Sequence, residues 1–310
     1  MKKETYKFKK YIAVLMVIMS FMVISKAFGA ESNELLTNKT ENVRQPETAH
    51  YAKLSQLDAK PQPGNETLDA LMFPLSEWGP LMSWKLLRTY YADKPLDAFQ
   101  KYEMPANSSK RTRAELDYLL ELQRTRSAEE LAWCLKLADI YYDPTNINPT
   151  NPKYNQNRDN LFYLGRNLGS WYTREELPLT TELLSRVIHD SMVYMVEFKL
   201  KYARPRPYVA EPKLKVEKPL PHGAFPSGHS FGSYVNAELL ARLAPDRRDE
   251  LMNATQEFAW SRELLGVHYP SDSEAGKIWA KDFLKFLFEN KQFVRDFEAV
   301  KKEWSQKRPK

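Results

Sequence analysis

The segment from Thr181 to Tyr202 reads TELLSRVIHDSMVYMVEFKLKY, and it is the strongest indicator of fold class in the chain. The helix predicted here must end near Arg204-Pro205-Arg206-Pro207, because proline lacks the backbone donor and clashes with the preceding turn. Residues that share one helical face recur every three or four positions, a spacing that predicts one buried side; they are Leu184, Val187, Ile188, Ser191, Met195 and Phe198. The segment is therefore typical of a protein built from helices.

The same periodicity continues on both sides of this segment. Ser127 and Glu130 have the spacing of a capping box at the start of one further helix. Alternating β-branched runs bounded by turn dipeptides, which would indicate strands, are nearly absent. We therefore predict a single all-α domain over residues 66–310. Its other predicted helices span residues 113–124, 127–141, 230–244, 247–265, 272–289 and about 292–304.

Charge and hydropathy set the first 29 residues apart. The chain has 310 residues and a formal net charge of +6, but this stretch holds six lysines against the single acid Glu4. The lysines lead into an apolar run, Tyr11 to Ile24, and then into small residues ending at Ala30, an arrangement typical of a secretory signal. The run is shorter than the roughly 20 residues that span a bilayer. We predict that residues 1–29 are cleaved, and that the protein is periplasmic or secreted without stable membrane insertion.

The rest of the chain is close to neutral, and it shows no basic stripe or motif for nucleic acid. A single cysteine, Cys134, excludes an intramolecular disulfide framework and a cysteine-rich zinc site. Residues 30–65 are rich in Glu, Asn, Thr and Pro, and we predict an extended or disordered N-terminal arm there.

Three short segments between residues 199 and 272 concentrate groups that suit an anion. Lys199, Arg206 and Arg262 are cations that could converge on a tetrahedral dianion, since arginine forks bind phosphate oxygens bidentately. Ser227 and Gly228 open a predicted helix, whose N-terminus offers free N–H groups and a positive dipole end. The glycine would let the backbone approach a ligand closely. The set predicts a phosphate-binding site.

Two histidines in the same window could supply the chemistry. His268 and Asp272 lie one helical turn apart, so the carboxylate could accept from one ring nitrogen and leave the other free to attack. His229 is a second imidazole, suited to protonate a leaving alkoxide. With the anion site, these groups predict phosphomonoester hydrolysis without a metal. An acidic pH optimum is expected, since His229 must start protonated while His268 must not.

The order of the segments is Lys-x6-Arg-Pro, Pro-Ser-Gly-His and Ser-Arg-x5-His-x3-Asp. It resembles the signature of the type 2 phosphatidic acid phosphatase superfamily. The first segment fits only with Arg206, because counting seven residues back from Arg204 reaches Glu197. The block 223–230 is most similar to that of the bacterial class A non-specific acid phosphatases. The resemblance covers about residues 180–300 and implies a helical-bundle domain like the acid phosphatase and vanadium haloperoxidase fold.

The resemblance also implies the roles of eight residues. His268 would be the nucleophile of a phosphohistidine intermediate, oriented by Asp272, and His229 would protonate the leaving alcohol and then activate water. The residues implied to bind the phosphoryl oxygens are Lys199, Arg206, Ser227, Gly228 and Arg262. No cofactor or metal is implied, and vanadate would bind as a phosphate analogue. Small-molecule phosphomonoesters are the expected substrates, and homo-oligomers are compatible with the resemblance.

Three other interpretations stay open at this point. A vanadate-dependent haloperoxidase would share the anion site, with vanadate held by the residue equivalent to His268. A lipid-phosphate phosphatase could act at a membrane surface. A non-catalytic phosphate-binding protein is disfavoured, because binding alone needs neither a nucleophile nor the proton donor His229.

Overall fold

A computed structural model describes residues 43–46 and 48–309 of the chain, and within these ranges it contains helices and turns but no strand. The predicted signal segment, residues 1–29, lies outside the described residues. The all-α prediction is confirmed. The α-helices are α1 Ala49–Ser55, α2 Glu66–Asp69, α3 Lys110–Thr125, α4 Ala128–Ala138, α5 Tyr154–Asp159, α6 Pro178–Tyr202, α7 Pro207–Ala210, α8 Gly228–Leu243, α9 Arg248–Leu264, α10 Pro270–Glu289 and α11 Lys291–Lys307.

Helix α8 lies at the centre and packs against α6, α9 and α10. Its side chains Phe231, Val235 and Leu239 are completely buried, which is why this helix shows a weaker one-sided pattern than a surface helix. Gly276 allows α10 to approach α8 closely: a Cβ there would lie 3.0 Å from the Phe231 nitrogen and 3.0 Å from the Ser227 carbonyl oxygen. This contact sets the second turn of α10 beside the first turn of α8.

The stretch between α2 and α3 departs from the largely helical expectation. It forms three short 3₁₀ segments, Leu75–Glu77, Pro80–Leu86 and Leu96–Ala98. Prolines recur through it, at positions 74, 80, 95 and 105, and each removes a backbone donor that a continuing α-helix would need. Its chain therefore lies across the bundle as turns, and buried side chains such as Trp84 and Phe99 fix it there.

Part of the predicted N-terminal arm, residues 30–65, is helical where the structure describes it. Helix α1 packs against α3 and α10, with Leu54 buried and the Tyr51 hydroxyl donating to Glu263. His50 Nε2 lies 3.3 Å from the second Glu263 oxygen. The linear sequence does not reveal these partners, since Glu263 follows more than 200 positions later. The boundaries at residues 29 and 65 stay predictions.

No helix in the described ranges combines the length and the apolar character needed to cross a membrane.

Candidate active site

The predicted site residues sit where helices end or begin. Helix α6 carries Lys199 in its last turn and stops at Ala203, whose φ of 43° is left-handed. Helix α8 begins at Gly228 with Ser227 as its N-cap. Arg262 lies in the last turn of α9, and α10 begins at Pro270. Four helix ends therefore meet at one place, and each delivers polar groups that a helix interior would not leave free.

His268 and Asp272 contact each other as predicted. His268 Nδ1 lies 3.0 Å from Asp272 Oδ2, and Arg206 Nη1 lies 3.0 Å from His268 Nε2. A guanidinium can only donate, so Nε2 accepts and the ring proton is on Nδ1, where it donates to the carboxylate. Burial, followed by the charge of Arg206, lowers the pKa of His268 well below its usual range. The neutral ring thus carries its lone pair on Nε2.

Arg206 is completely buried and is held from several sides. Its Nε donates to the His222 carbonyl at 2.9 Å, and its Nη1 donates to the Val267 carbonyl at 2.7 Å. Its Nη2 donates to His222 Nδ1 at 2.7 Å. Burial lowers the pKa of this guanidinium to about 10. Arg206 is therefore a rigid cation whose position is set before any ligand arrives.

Lys199 reaches the site but is engaged with backbone. Its Nζ donates to the carbonyls of Gly223, Ala224 and Pro226 at 2.9, 2.9 and 2.6 Å. Burial and then Arg206 lower the pKa of its ammonium well below the ordinary value. An ammonium has three donors, so a direct bond to a phosphoryl oxygen requires Lys199 to release one carbonyl. In this structure Lys199 fixes the loop that precedes Ser227.

Arg262 differs from the other two cations in having donors to spare. It is 3% exposed, and neither its Nε nor its Nη1 has a hydrogen-bond partner among the described residues. Burial, and then the charge of Arg206, lower the pKa of Arg262 to about 9. Buried donors without partners are costly. Arg262 is therefore the cation most clearly prepared for an anionic ligand.

The first turn of α8 supplies the remaining predicted residues. The Ser227 hydroxyl accepts from the Ser230 backbone N–H at 3.3 Å, which is an N-cap bond. Gly228 faces α6, and a Cβ there would lie 3.2 Å from Met195 Cγ. His229 is half-buried and its Nε2 lies 3.2 Å from the Ala138 carbonyl, so Nε2 carries the proton and Nδ1 the lone pair. Burial, and then Arg262, lower the pKa of His229 well below its usual range.

These groups meet at a cavity of about 510 Å³. The predicted residues that line it are Lys199, Gly228, His229, Arg262 and His268. Arg206, Ser227 and Asp272 lie behind them and are completely buried. Away from the cations the wall is largely apolar, and it includes Trp84, Leu135, Leu161, Ile188, Met192 and Phe258. The cavity therefore joins a cationic end to an apolar compartment.

Two residues without a sequence-assigned role lie at the same place. His222 lines the cavity, and its pKa is lowered well below the usual range by burial and then by Arg206. Arg204, which does not fit the Lys-x6-Arg-Pro spacing, is completely buried. Its Nη1 lies 2.7 Å from Asp272 Oδ1. The repeated Arg-Pro pair was the sequence signal that could have drawn attention to Arg204.

Known proteins resemble the part of the chain that forms this site. Residues 179–292 match the PAP2 superfamily. All three segments that carry the resemblance fall within this range, so the resemblance to this superfamily is confirmed for this part of the chain. Helices α6, α8, α9 and α10, whose ends converge at the site, account for most of the matched range.

Curated relatives are similar over part of the chain. A non-specific acid phosphatase of Providencia stuartii is 29% identical over 139 residues, which are 43% of this chain and 56% of that protein. An acid phosphatase of Zymomonas mobilis is 30% identical over 133 residues, which are 41% of this chain and 50% of that protein. The alignments thus span about half the length of these relatives.

The fold has a counterpart among solved structures. A bacterial vanadium-dependent iodoperoxidase superposes with a TM-score of 0.52 at 16% identity, over 78% of this chain and 64% of that protein. This likeness supports the helical-bundle fold predicted from the resemblance. At 16% identity this likeness supports the fold alone.

Proposed function

We propose that the protein is an acid phosphatase that hydrolyses small-molecule phosphate monoesters through a phosphohistidine at His268, without a metal. One observation carries the proposal. The neutral His268 ring is oriented by Asp272 through Nδ1, and its Nε2 lies beside Arg206 at a cavity where Arg262 has unpartnered donors among the described side chains. The names of the similar bacterial acid phosphatases support the same reaction class.

In the first step His268 Nε2 attacks phosphorus, forming the N–P bond while the ester P–O bond breaks. A phosphoryl oxygen takes over the Arg206 donor that now points at Nε2. Arg262 donates to the equatorial oxygens, and fixed donors of this kind stabilise charge that builds up in the transition state. The leaving alkoxide takes its proton from His229. In the second step His229 accepts a proton from water, which attacks the phosphohistidine and releases phosphate.

Proton balance explains the expected acidic optimum. Burial and Arg262 hold the pKa of His229 well below its usual range, so at neutral pH the ring is unprotonated and cannot act as an acid. A bound phosphate dianion offsets the charge of the cations and favours the imidazolium. Both lower pH and bound substrate therefore move His229 toward its acid form, while His268 stays neutral until its own low pKa is reached.

The proposal is tested by a panel of phosphomonoesters assayed with and without chelator. Wild-type protein should turn over 4-nitrophenyl phosphate equally in both conditions. His268→Ala should lose turnover while keeping its circular dichroism spectrum and melting curve. Rapid quenching with ³²P-labelled substrate should trap label on His268. Label on another residue, or activity lost to the chelator, would count against the mechanism.

A second candidate, a phosphatase of lipid phosphates, is favoured by the apolar compartment of the cavity. It predicts a lower KM for a phosphate ester of a long-chain alcohol than for glycerol phosphate.

The haloperoxidase alternative is tested in a parallel assay with vanadate, peroxide and halide. This alternative predicts halide oxidation.

We also propose that the mature protein is periplasmic or secreted after cleavage of residues 1–29. The supporting observation is the charge and hydropathy pattern of that segment. N-terminal sequencing of protein from a fractionated bacterial host tests it, and an intact Met1 in the mature product would contradict it. Light scattering on the same sample gives the oligomeric state.

A further inference from the structure

A buried group of charged side chains lies directly behind His268. Arg204 Nη1 donates to Asp272 Oδ1 at 2.7 Å and to the Ser271 hydroxyl at 2.8 Å. The guanidinium stacks on the Tyr269 ring, 3.7 Å from its centroid. Arg204 and Asp272 have no exposed side-chain surface. The cation is therefore locked against the carboxylate that orients the candidate nucleophile.

Glu115 of α3 holds Arg204 from the other side. Its Oε2 lies 3.4 Å from Arg204 Nη2. The same carboxylate accepts from the Ser271 backbone N–H at 3.0 Å and from the Ser271 hydroxyl at 2.8 Å. Arg111 Nε donates to it at 3.3 Å. Glu115 thus connects α3 to the first turn of α10, and none of these contacts uses the cavity itself.

We propose that Arg204, held by Glu115, is a positioning residue that fixes the orientation and the hydrogen bonding of Asp272, and through Asp272 sets the proton affinity of His268. The proposal rests on the proposed function in one respect, namely that His268 is the nucleophile. Arg204 does not contact the candidate reacting atoms, and it occupies one of the six variable positions of the Lys-x6-Arg-Pro segment.

The two carboxylate oxygens of Asp272 have different partners, which supports this role. Its Oδ2 accepts from His268 Nδ1 and from the Tyr269 backbone N–H, each at 3.0 Å. Its Oδ1 is taken by Arg204. A guanidinium that shares the charge of a carboxylate reduces the attraction of that carboxylate for a second donor. Asp272 therefore orients His268 through Nδ1, while Arg204 limits how strongly Asp272 favours the protonated ring.

Other charges around His268 must be considered together with Arg204. The groups that face it from the surrounding segments are Lys199 of α6, Arg206, His222, Arg262 of α9 and Asp272 of α10. The cations lower the proton affinity of His268 and Asp272 raises it. Arg204 weakens the effect of Asp272, so its loss should leave His268 more basic. Glu115 offsets Arg204, so its loss should leave His268 less basic.

The two substitutions therefore predict opposite shifts. In Arg204→Gln the acidic limb of kcat/KM, where His268 becomes protonated, should move to higher pH by about 0.5–1 unit, with a loss of about tenfold or more in kcat. In Glu115→Gln the same limb should move to lower pH by a smaller amount. Arg204→Lys keeps the charge and should return the limb close to its wild-type position. Arg124→Gln on the exposed face of α3 is the matched control, and its profile should not move.

The experiment measures pH profiles with 4-nitrophenyl phosphate, together with NMR titration of the His268 ring in the same proteins. Opposite shifts support the proposal. Equal shifts in the same direction, or unshifted profiles in folded variants, overturn it, because a purely structural contact would only lower stability and kcat. If Arg204→Gln does not fold, Glu115→Gln and Arg204→Lys decide. Absence of wild-type phosphatase activity would refute the proposed function instead, and the NMR titration would still decide the role of Arg204.

Discussion

Replacing Arg262 by methionine should stabilise the ligand-free protein and destroy its activity. Arg262 is 3% exposed and two of its donors lack partners among the described residues, so the folded state carries a desolvated charge. Burial, and then Arg206, lower its pKa from the ordinary arginine value to about 9, and at 1.36 kcal/mol per pKa unit this is a penalty on the order of 5 kcal/mol. Since folding weakens proton binding here, the penalty is complete below the folded pKa and fades as pH rises above it.

Structural relaxation and the loss of arginine packing reduce the gain, so we expect Arg262→Met to raise the free energy of unfolding by about 1–3 kcal/mol at pH 7. That corresponds to about 2–4 °C in melting temperature per kcal/mol for a domain of this size. Phosphate or vanadate at about 100 times its dissociation constant should stabilise wild type by about 2.7 kcal/mol and the variant far less. Turnover should fall by at least about 10²-fold.

Urea unfolding with and without vanadate measures both effects. Arg166→Met is the matched control, because Arg166 pairs with Glu257 at 3.3 Å and stacks on Tyr163; its loss should lower stability. An Arg262→Met variant that is less stable than wild type by more than about 1 kcal/mol, or equal stabilisation of both proteins by vanadate, would refute this prediction.

Further predictions concern packing, capping, the buried thiol and pH. Gly276→Ala should lower the free energy of unfolding by about 1–3 kcal/mol in urea titrations, since its Cβ would meet backbone atoms of α8 at 3.0 Å; a neutral change would contradict the packing. Ser227→Ala should lower the free energy of unfolding by about 1 kcal/mol, because the N-cap bond is lost. It should also reduce kcat, which stopped-flow kinetics can separate from an effect on KM. Cys134 is fully buried and its pKa is raised to about 12 by burial, so Ellman's reagent should label it only after unfolding. Finally, kcat/KM should rise as pH falls below neutral, because the lowered pKa of His229 leaves it unprotonated at pH 7; a profile flat from about pH 5 to 9 would oppose its role as the acid.

Much of the helical framework follows from local pattern. The predicted helix 181–202 differs from the observed Pro178–Tyr202 only at its start. The capping box of Ser127 and Glu130 is present as the sequence indicated, with both reciprocal bonds formed. Such features depend on residues three or four positions apart, and these residues are neighbours in any helix. The turns between α2 and α3 were not predicted, because their course depends on packing against the bundle.

The sequence alone determined which residues could form the site and in what order, since the spacing of His268 and Asp272 already places them one helical turn apart. Which partners the polar groups of the site bind depends on the tertiary structure. It engages Lys199 with three carbonyls, leaves Nε and Nη1 of Arg262 without partners in the described ranges, and brings Arg204 onto Asp272. The physical reason is that a helix repeats local spacing, whereas a buried donor finds its partner across the fold; Glu115 and Ser271 bond across 156 positions.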